Sequence, residues 1–203
     1  MNKDQIIVAL QRRGFDAFWA QHKEDALQML LDGITSGSSV GWGGSVTLNQ
    51  VGVKEALQQR GDVKLLNRDE AIDAADKHRI QVATFGCDYY LMSTSVLTVD
   101  GLLVNIDGMG NRLAALMYGP RVVYVVAGVN KICANETEAL DRVRNMAAPA
   151  NVKRLERDTP CAASGRCHDC LVDDCICSHI VITRRAWVPK RIRVILVNET
   201  LGI

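Results

Sequence analysis

The chain lacks what would take it into a membrane or onto a nucleic acid. No apolar run approaches the roughly 18 residues of a transmembrane helix. Its start, MNKDQIIVALQRRG, has no long apolar stretch and no small-residue cleavage site, so no secretory signal is expected. Charge is nearly balanced, with 24 Lys and Arg against 23 Asp and Glu, net +1. No basic block is interleaved with aromatics, so neither nucleic acid nor a membrane surface is an expected partner. There is no repeat and no low-complexity tract. No Ser-His-Asp or Cys-His constellation is visible, and the four histidines (His22, His78, His168, His179) form no metal motif of their own. Apolar residues at 48% and charged residues at 23% are ordinary for a globular protein. A length of 203 residues suits one sizeable core. The expectation is a soluble, cytoplasmic chain.

Cysteine is the exception to this plainness. There are seven, and five of them fall between Cys161 and Cys177. An odd number without an export signal favours metal or redox chemistry over disulfides. Cys161, Cys167, Cys170 and Cys177 follow C-x5-C-x2-C-x6-C, with Cys175 as a fifth thiol. The C-x2-C pair can put two thiolates on one centre, and Pro160 and Gly165 suit the sharp turns of such a loop. Four thiolates serve a structural zinc or a [4Fe-4S] cluster, and the spacing matches neither standard run. His168 could replace one ligand or face solvent. Cys133 reads as core packing, and Cys87 as either core or site. Trp19, Trp42 and Trp187 read as packing residues.

Periodicity predicts alternating helices and strands. Helices are expected over 5–13, 22–32, 46–59, 69–82, 111–117 and 136–146, the last ended by Ala147-Ala148-Pro149. Strands are expected over 15–20, 38–42, 63–66, 88–93, 96–100, 102–106 and 121–127, the last (RVVYVVA) reading as fully buried. Two late strands, 180–182 and 193–197, look like additions at a sheet edge. The alternation predicts an α/β fold with a mainly parallel sheet and helices on both faces. Residues 1–203 are read as one domain, with 151–179 a cysteine-rich surface excursion within it.

Three turns could carry a ligand. Gly43, Gly44 and Ser45 follow a strand and open a helix, where backbone N–H groups attract an anion; the plain alternative is a tight turn with Ser45 as cap. Asp107, Gly110, Asn111 and Arg112 lie at another such junction, with Arg112 a clamp for carboxylate or phosphate, or else a surface residue beyond a helix cap. Asn130 and Lys131 follow the strongest strand. Lys131 could hold an anion, act as a base if its pKa falls, or lie exposed. Each turn is expected at the carboxyl end of a parallel strand, where open α/β sheets bind ligands. Ser93, Thr94 and Ser95 end a further strand and could line the same rim. Together they suggest a pocket for a small anionic ligand.

GWGGSVTLNQVG, VDGLLVNIDGMGNRLAALMYGPRVVYVVAGVNKI, NMAAPANVKRL, PCAASGRCHDC…CICSHIVI and RIRVILVNETLGI, in order over nearly the whole chain, resemble the lactate-utilisation (LUD) domain family. The likeness is to its short stand-alone members with a cysteine tail. It implies a fold like the glucosamine-phosphate isomerase, ribose-phosphate isomerase and CoA-transferase group. It also implies a link to lactate oxidation beside iron–sulfur partner proteins, and a ligand pattern at Cys161, Cys167, Cys170 and Cys177. No catalytic residue carries over. Three functions follow as expectations: a redox or electron-transfer accessory in organic-acid metabolism, an enzyme on a sugar-phosphate or acyl-CoA ligand with structural zinc, and a metal- or ligand-sensing module. A homodimer is expected for this fold.

Overall fold

The structure, a computed structural model, describes residues 2–203. Helix α1 (Lys3–Arg12) leads into strand β1 (Asp16–Ala20), and α2 (Lys23–Gly33) into β2 (Ser39–Trp42). The helix expected over 46–59 is two, α3 (Val46–Val51) and α4 (Val53–Arg60), because Gly52 between them is left-handed at φ 77°. After β3 (Lys64–Leu66), the helix expected from Asp69 begins later, as α5 (Ala74–Ala83), where Asp73 caps it through the Asp76 amide. Then follow β4 (Tyr89–Met92), β5 (Val96–Thr98), β6 (Leu103–Asp107), α6 (Asn111–Met117), β7 (Val122–Gly128) and the short β8 (Ile132–Cys133).

Pro149 does not stop the next helix. α7 (Glu136–Arg142) passes through a π turn over Val143–Ala147 into α8 (Ala148–Arg154), and Pro149 sits in the first turn of α8. A proline there demands no N–H that the wide turn would have supplied. The cysteine segment contains only the short α9 (Pro160–Ser164). The chain closes with β9 (His179–Thr183) and β10 (Ile192–Val197).

Six strands form one sheet, in the order β1-β10-β7-β4-β2-β3, and every pairing in it is parallel. β1 is an edge, as expected. β10 is not; it lies between β1 and β7, because Ile192, Val194, Ile195, Leu196 and Val197 are apolar towards both faces. Alternation along β7 shows how both faces are covered. Val123, Val125 and Ala127 join the core beneath α1 and α6, while Tyr124 and Val126 join the core beneath α2, α3 and α4.

A second sheet, not expected from the alternation of helices and strands, lies beside the first. β8-β5-β6-β9 is mixed: β6 runs antiparallel to β5 and β9, and β5 runs parallel to β8. Leu97 and Leu103 enter the first core, so this sheet packs on one face of the main one. Its other face, with Val96, Val104 and Ile106, is covered by Ala139 and Val143 from α7 and the π turn.

At the carboxyl end of β7, Gly128 has no room for a side chain. A Cβ there would lie 2.5 Å from the Glu199 carbonyl oxygen and 2.6 Å from the Leu201 amide nitrogen, and closer still to the Asn130 side chain. Gly128→Ala should therefore lower stability by about 2 kcal/mol. Urea unfolding measures this; a loss under about 0.5 kcal/mol would mean that the segment after β10 moves aside freely.

Candidate functional site

Lys131 is the centre of the carboxyl end of the main sheet. A 3-10 turn after β7 sends its side chain inward, where it is 4% exposed. Its ammonium donates to Thr47 Oγ1 at 3.2 Å, Ser93 Oγ at 3.0 Å and the Thr94 carbonyl at 3.2 Å. These acceptors come from α3 and the end of β4, and Gly202 closes over them; a Cβ at Gly202 would lie 2.9 Å from Nζ. None of the acceptors is a carboxylate. Burial, reinforced by the charges of Arg142 and Arg112, pushes the amine down to about 7. Lys131 is thus neither an exposed lysine nor a flexible hook. A lysine of that pKa is able to accept a proton or act as a nucleophile near neutrality.

Arg112 stands beside it, anchored. Its guanidinium donates to the Ser93 carbonyl at 3.0 Å, the Ile106 carbonyl at 2.7 Å, Asn105 Oδ1 at 3.3 Å and Asp107 Oδ2 at 3.3 Å. The turn that carries it departs from expectation. β6 belongs to the antiparallel part of the second sheet, so Asp107–Asn111 is not at the end of a parallel strand; Arg112 alone reaches back to β4 and lies against Gly43. Neither Asp107 nor Asn111 is the cap of α6. That position is Gly110, left-handed at φ 79°.

The first glycine turn resolves towards local structure. Gly43 donates to the Leu91 carbonyl at 3.1 Å, and Ser45 caps α3 by accepting from the Leu48 amide at 3.2 Å. Gly44 faces open space. Asn130 accepts from the Leu201 amide at 3.0 Å and thereby holds the segment after β10 against Lys131. Asn111 lies elsewhere, on a groove between α5 and α6. Two contributors were not singled out in the sequence. Thr47 looks like an ordinary first-turn residue. Arg142 looks like a helix-surface charge; only the fold shows that it donates to the Ser95 carbonyl at 3.4 Å and has no carboxylate partner among the described residues.

The cysteine segment packs beside this end. Backbone and side-chain atoms of Ile176 approach Gly108, and His179 pairs with Asp107 across the sheet. Asp169, inside the C-x2-C pair, is left-handed at φ 50° and forms the knuckle. Arg144–Asp169 and Arg157–Asp174 ion pairs tie the loop to the π turn and the end of α8. Cys175 is not peripheral, since its thiol is among the groups that push the Cys170 and Cys177 thiols up, after burial. Burial first, then the neighbouring thiols, pushes the Cys177 thiol up. A soft cation would reverse that penalty, so the donor set fits a thiolate-bound metal. Among the described residues, no three His, Cys, Asp or Glu side chains stand in ligating geometry around one point. His168 faces solvent and meets only Ser164, at 2.6 Å. Cys87 is a core thiol, pushed up to about 11 by burial. Trp42 packs, as expected, whereas Trp187 is 83% exposed beneath Arg185.

The LUD domain model matches residues 3–197. The chain belongs to the LUD domain family. A crystal structure of a DUF162 family protein from Deinococcus radiodurans is similar over 98% of this chain and 99% of that one, at 13% identity and a TM-score of 0.55, a likeness of fold. Ribose 5-phosphate isomerase from Plasmodium falciparum aligns over 56% of this chain and 53% of its own, at 17% identity and a TM-score of 0.36. No curated protein matches. No helix of this LUD domain, among the described residues, is long and apolar enough to cross a membrane.

The buried lysine predicts a pH signature. Its amine is lowered from 10.5 to about 7 by folding, so between those values the unfolded LUD chain binds a proton that the folded one does not. Stability should therefore rise with pH across that window relative to Lys131→Met, which removes the group. Thermal unfolding of both proteins from pH 7 to 10 measures the difference; parallel curves would mean that Lys131 stays charged in its buried position.

Proposed function

We propose that this chain is a redox or electron-transfer accessory in organic-acid (lactate) metabolism. A small carboxylate is held at Lys131, and an iron–sulfur or other metal centre by Cys161, Cys167, Cys170 and Cys177. One observation carries the reading: a lysine 4% exposed, without a carboxylate partner, lies within the field of Arg142 and Arg112. Among the described residues, only Arg112 of the three has an ion pair with an acid, Asp107. A buried excess of positive charge attracts a small anion, which would restore the lysine proton. The approach of Ile176 to Gly108 and the pairing of His179 with Asp107 support this reading, because they bring the thiol segment against the turn that carries Arg112.

Lactate and pyruvate should bind the protein below pH 7 and weaken as pH rises through 7, because the free protein loses the ammonium there. Calorimetric titration of wild type and Lys131→Met checks this, and equal affinity in both would remove the anion site from Lys131. For the metal, anaerobic purification should give a brown protein with about four irons per chain. Colour should be lost in Cys167→Ser and Cys170→Ser. A colourless protein with about one zinc would make the segment structural and favour a sensing module. Metal-free thiols would sink the redox reading.

The sugar-phosphate or acyl-CoA reading has less support. That reading puts the phosphate at the Gly43 turn and Arg112, yet the Gly43 amide is bonded to Leu91 and Arg112 to four acceptors, whereas a carboxylate at Lys131 has only to displace one of three neutral acceptors from the amine.

A further inference from the structure

A cleft of about 410 Å³ opens at the opposite end of the main sheet from Lys131, where Arg13 and Gly14 lead into β1 and residues 184–189 lead into β10. Four arginines line it, Arg12, Arg13, Arg184 and Arg185, and no Asp or Glu does. Charge is balanced over the whole chain but not here. The stretch 184–191, RRAWVPKR, holds four basic residues around Trp187 and no acid, a local exception to the lack of basic–aromatic blocks.

The two walls are firmly joined. The Ala186 amide donates to the Arg13 carbonyl at 2.9 Å, and Arg13 Nη1 donates to the Arg184 carbonyl at 3.0 Å. Gly14 is left-handed at φ 81°, and a Cβ there would lie 2.8 Å from the Ala186 carbonyl oxygen, so glycine lets the walls come this close. Ala186 is buried in the first core, which leaves its neighbours Arg185 and Trp187 facing outward. Of the four arginines, only Arg13 has an ion pair among the described residues, with Asp100. Arg13 is therefore a brace, and the other three charges are uncompensated.

These features select a ligand chemistry. Guanidiniums gathered in one cleft repel one another, so an anion of several charges is favoured over one of a single charge. Phosphate oxygens match the guanidinium fork with paired hydrogen bonds. Trp187 is 83% exposed, and Arg185 stands over its ring at 5.4 Å from the centroid, which leaves flat indole surface open to a second ring. Nucleobases stack on such a surface whatever their identity. The cleft has the size of a small-molecule site, and a net charge of +1 offers no long positive track to a nucleic-acid strand.

We propose that this cleft binds a free nucleoside di- or triphosphate, with its base stacked on Trp187 and its phosphates held by Arg12, Arg184 and Arg185. The site does not depend on the anion reading at Lys131 or on the metal reading at the thiols.

Calorimetric titration of the full chain with ATP and with inorganic triphosphate separates the two halves of the site. ATP should bind about tenfold tighter than triphosphate, the worth of one stacked base. Trp187→Ala should bring ATP down to the level of triphosphate and leave triphosphate unchanged. The double substitution Arg12→Ala, Arg184→Ala should weaken both ligands about tenfold or more. Circular dichroism confirms that each variant is folded. Absence of ATP binding, or ATP affinity unmoved by the double substitution, would overturn the proposal. So would a preference for ATP over triphosphate that persists in Trp187→Ala, because the base would then lie elsewhere. An oligoadenylate bound about a hundredfold tighter than ATP would also overturn it, by making the occupant a strand that follows its phosphates over a longer surface.

Discussion

The Arg112 guanidinium joins the two sheets, and the candidate site depends on that joint. It reaches the end of β4 through the Ser93 carbonyl and the end of β6 through Asn105, Ile106 and Asp107. Planar, always charged and many-donored, it can hold these acceptors together as a lysine could not. Ser93 is then fixed from two sides, its carbonyl by Arg112 and its hydroxyl by Lys131. The lysine is therefore oriented by a residue that does not contact it. Removing the arginine would leave several buried acceptors without donors and Lys131 without a rigid neighbour.

The main sheet was legible because its strands are apolar on both faces, and a continuous run such as Val122–Ala127 admits little else. Helix α6 and the edge position of β1 followed from equally local signals. The second sheet was not legible. β5, β8 and β9 are two to five residues long, and their pairings span up to 80 residues of chain; no local period encodes such partners. Pro149 misled because proline reads as a stop, while the preceding π turn lets the helix run on.

At the site, the loops were legible and the roles were not. Lys131, Ser93 and Arg112 come together at one rim, the lysine and the arginine each bonded to Ser93. Residue type alone does not separate free groups from committed ones. Arg112 looked like a clamp and is a brace; Lys131 looked exposed by default and is buried. Such distinctions arise from which acceptors the fold brings within 3 Å or so, and no residue type announces them. Arg142 shows the same limit, since its charge matters only through packing of α7 on the second sheet.

The π turn after α7 has a mechanical meaning. Arg142, just before it, is bonded to the Ser95 carbonyl near Lys131. Arg144 and Asn145, within it, hold Asp169 and the Cys167 amide. One short stretch of backbone thus has the lysine at one end of its reach and the thiol loop at the other. Single π turns inside α-helices are rare and are frequent at functional sites. The two ends are therefore joined through one stretch of backbone, so a displacement of the thiol loop at Asp169 or Cys167 bears on the helix that carries the Arg142 guanidinium past the amine.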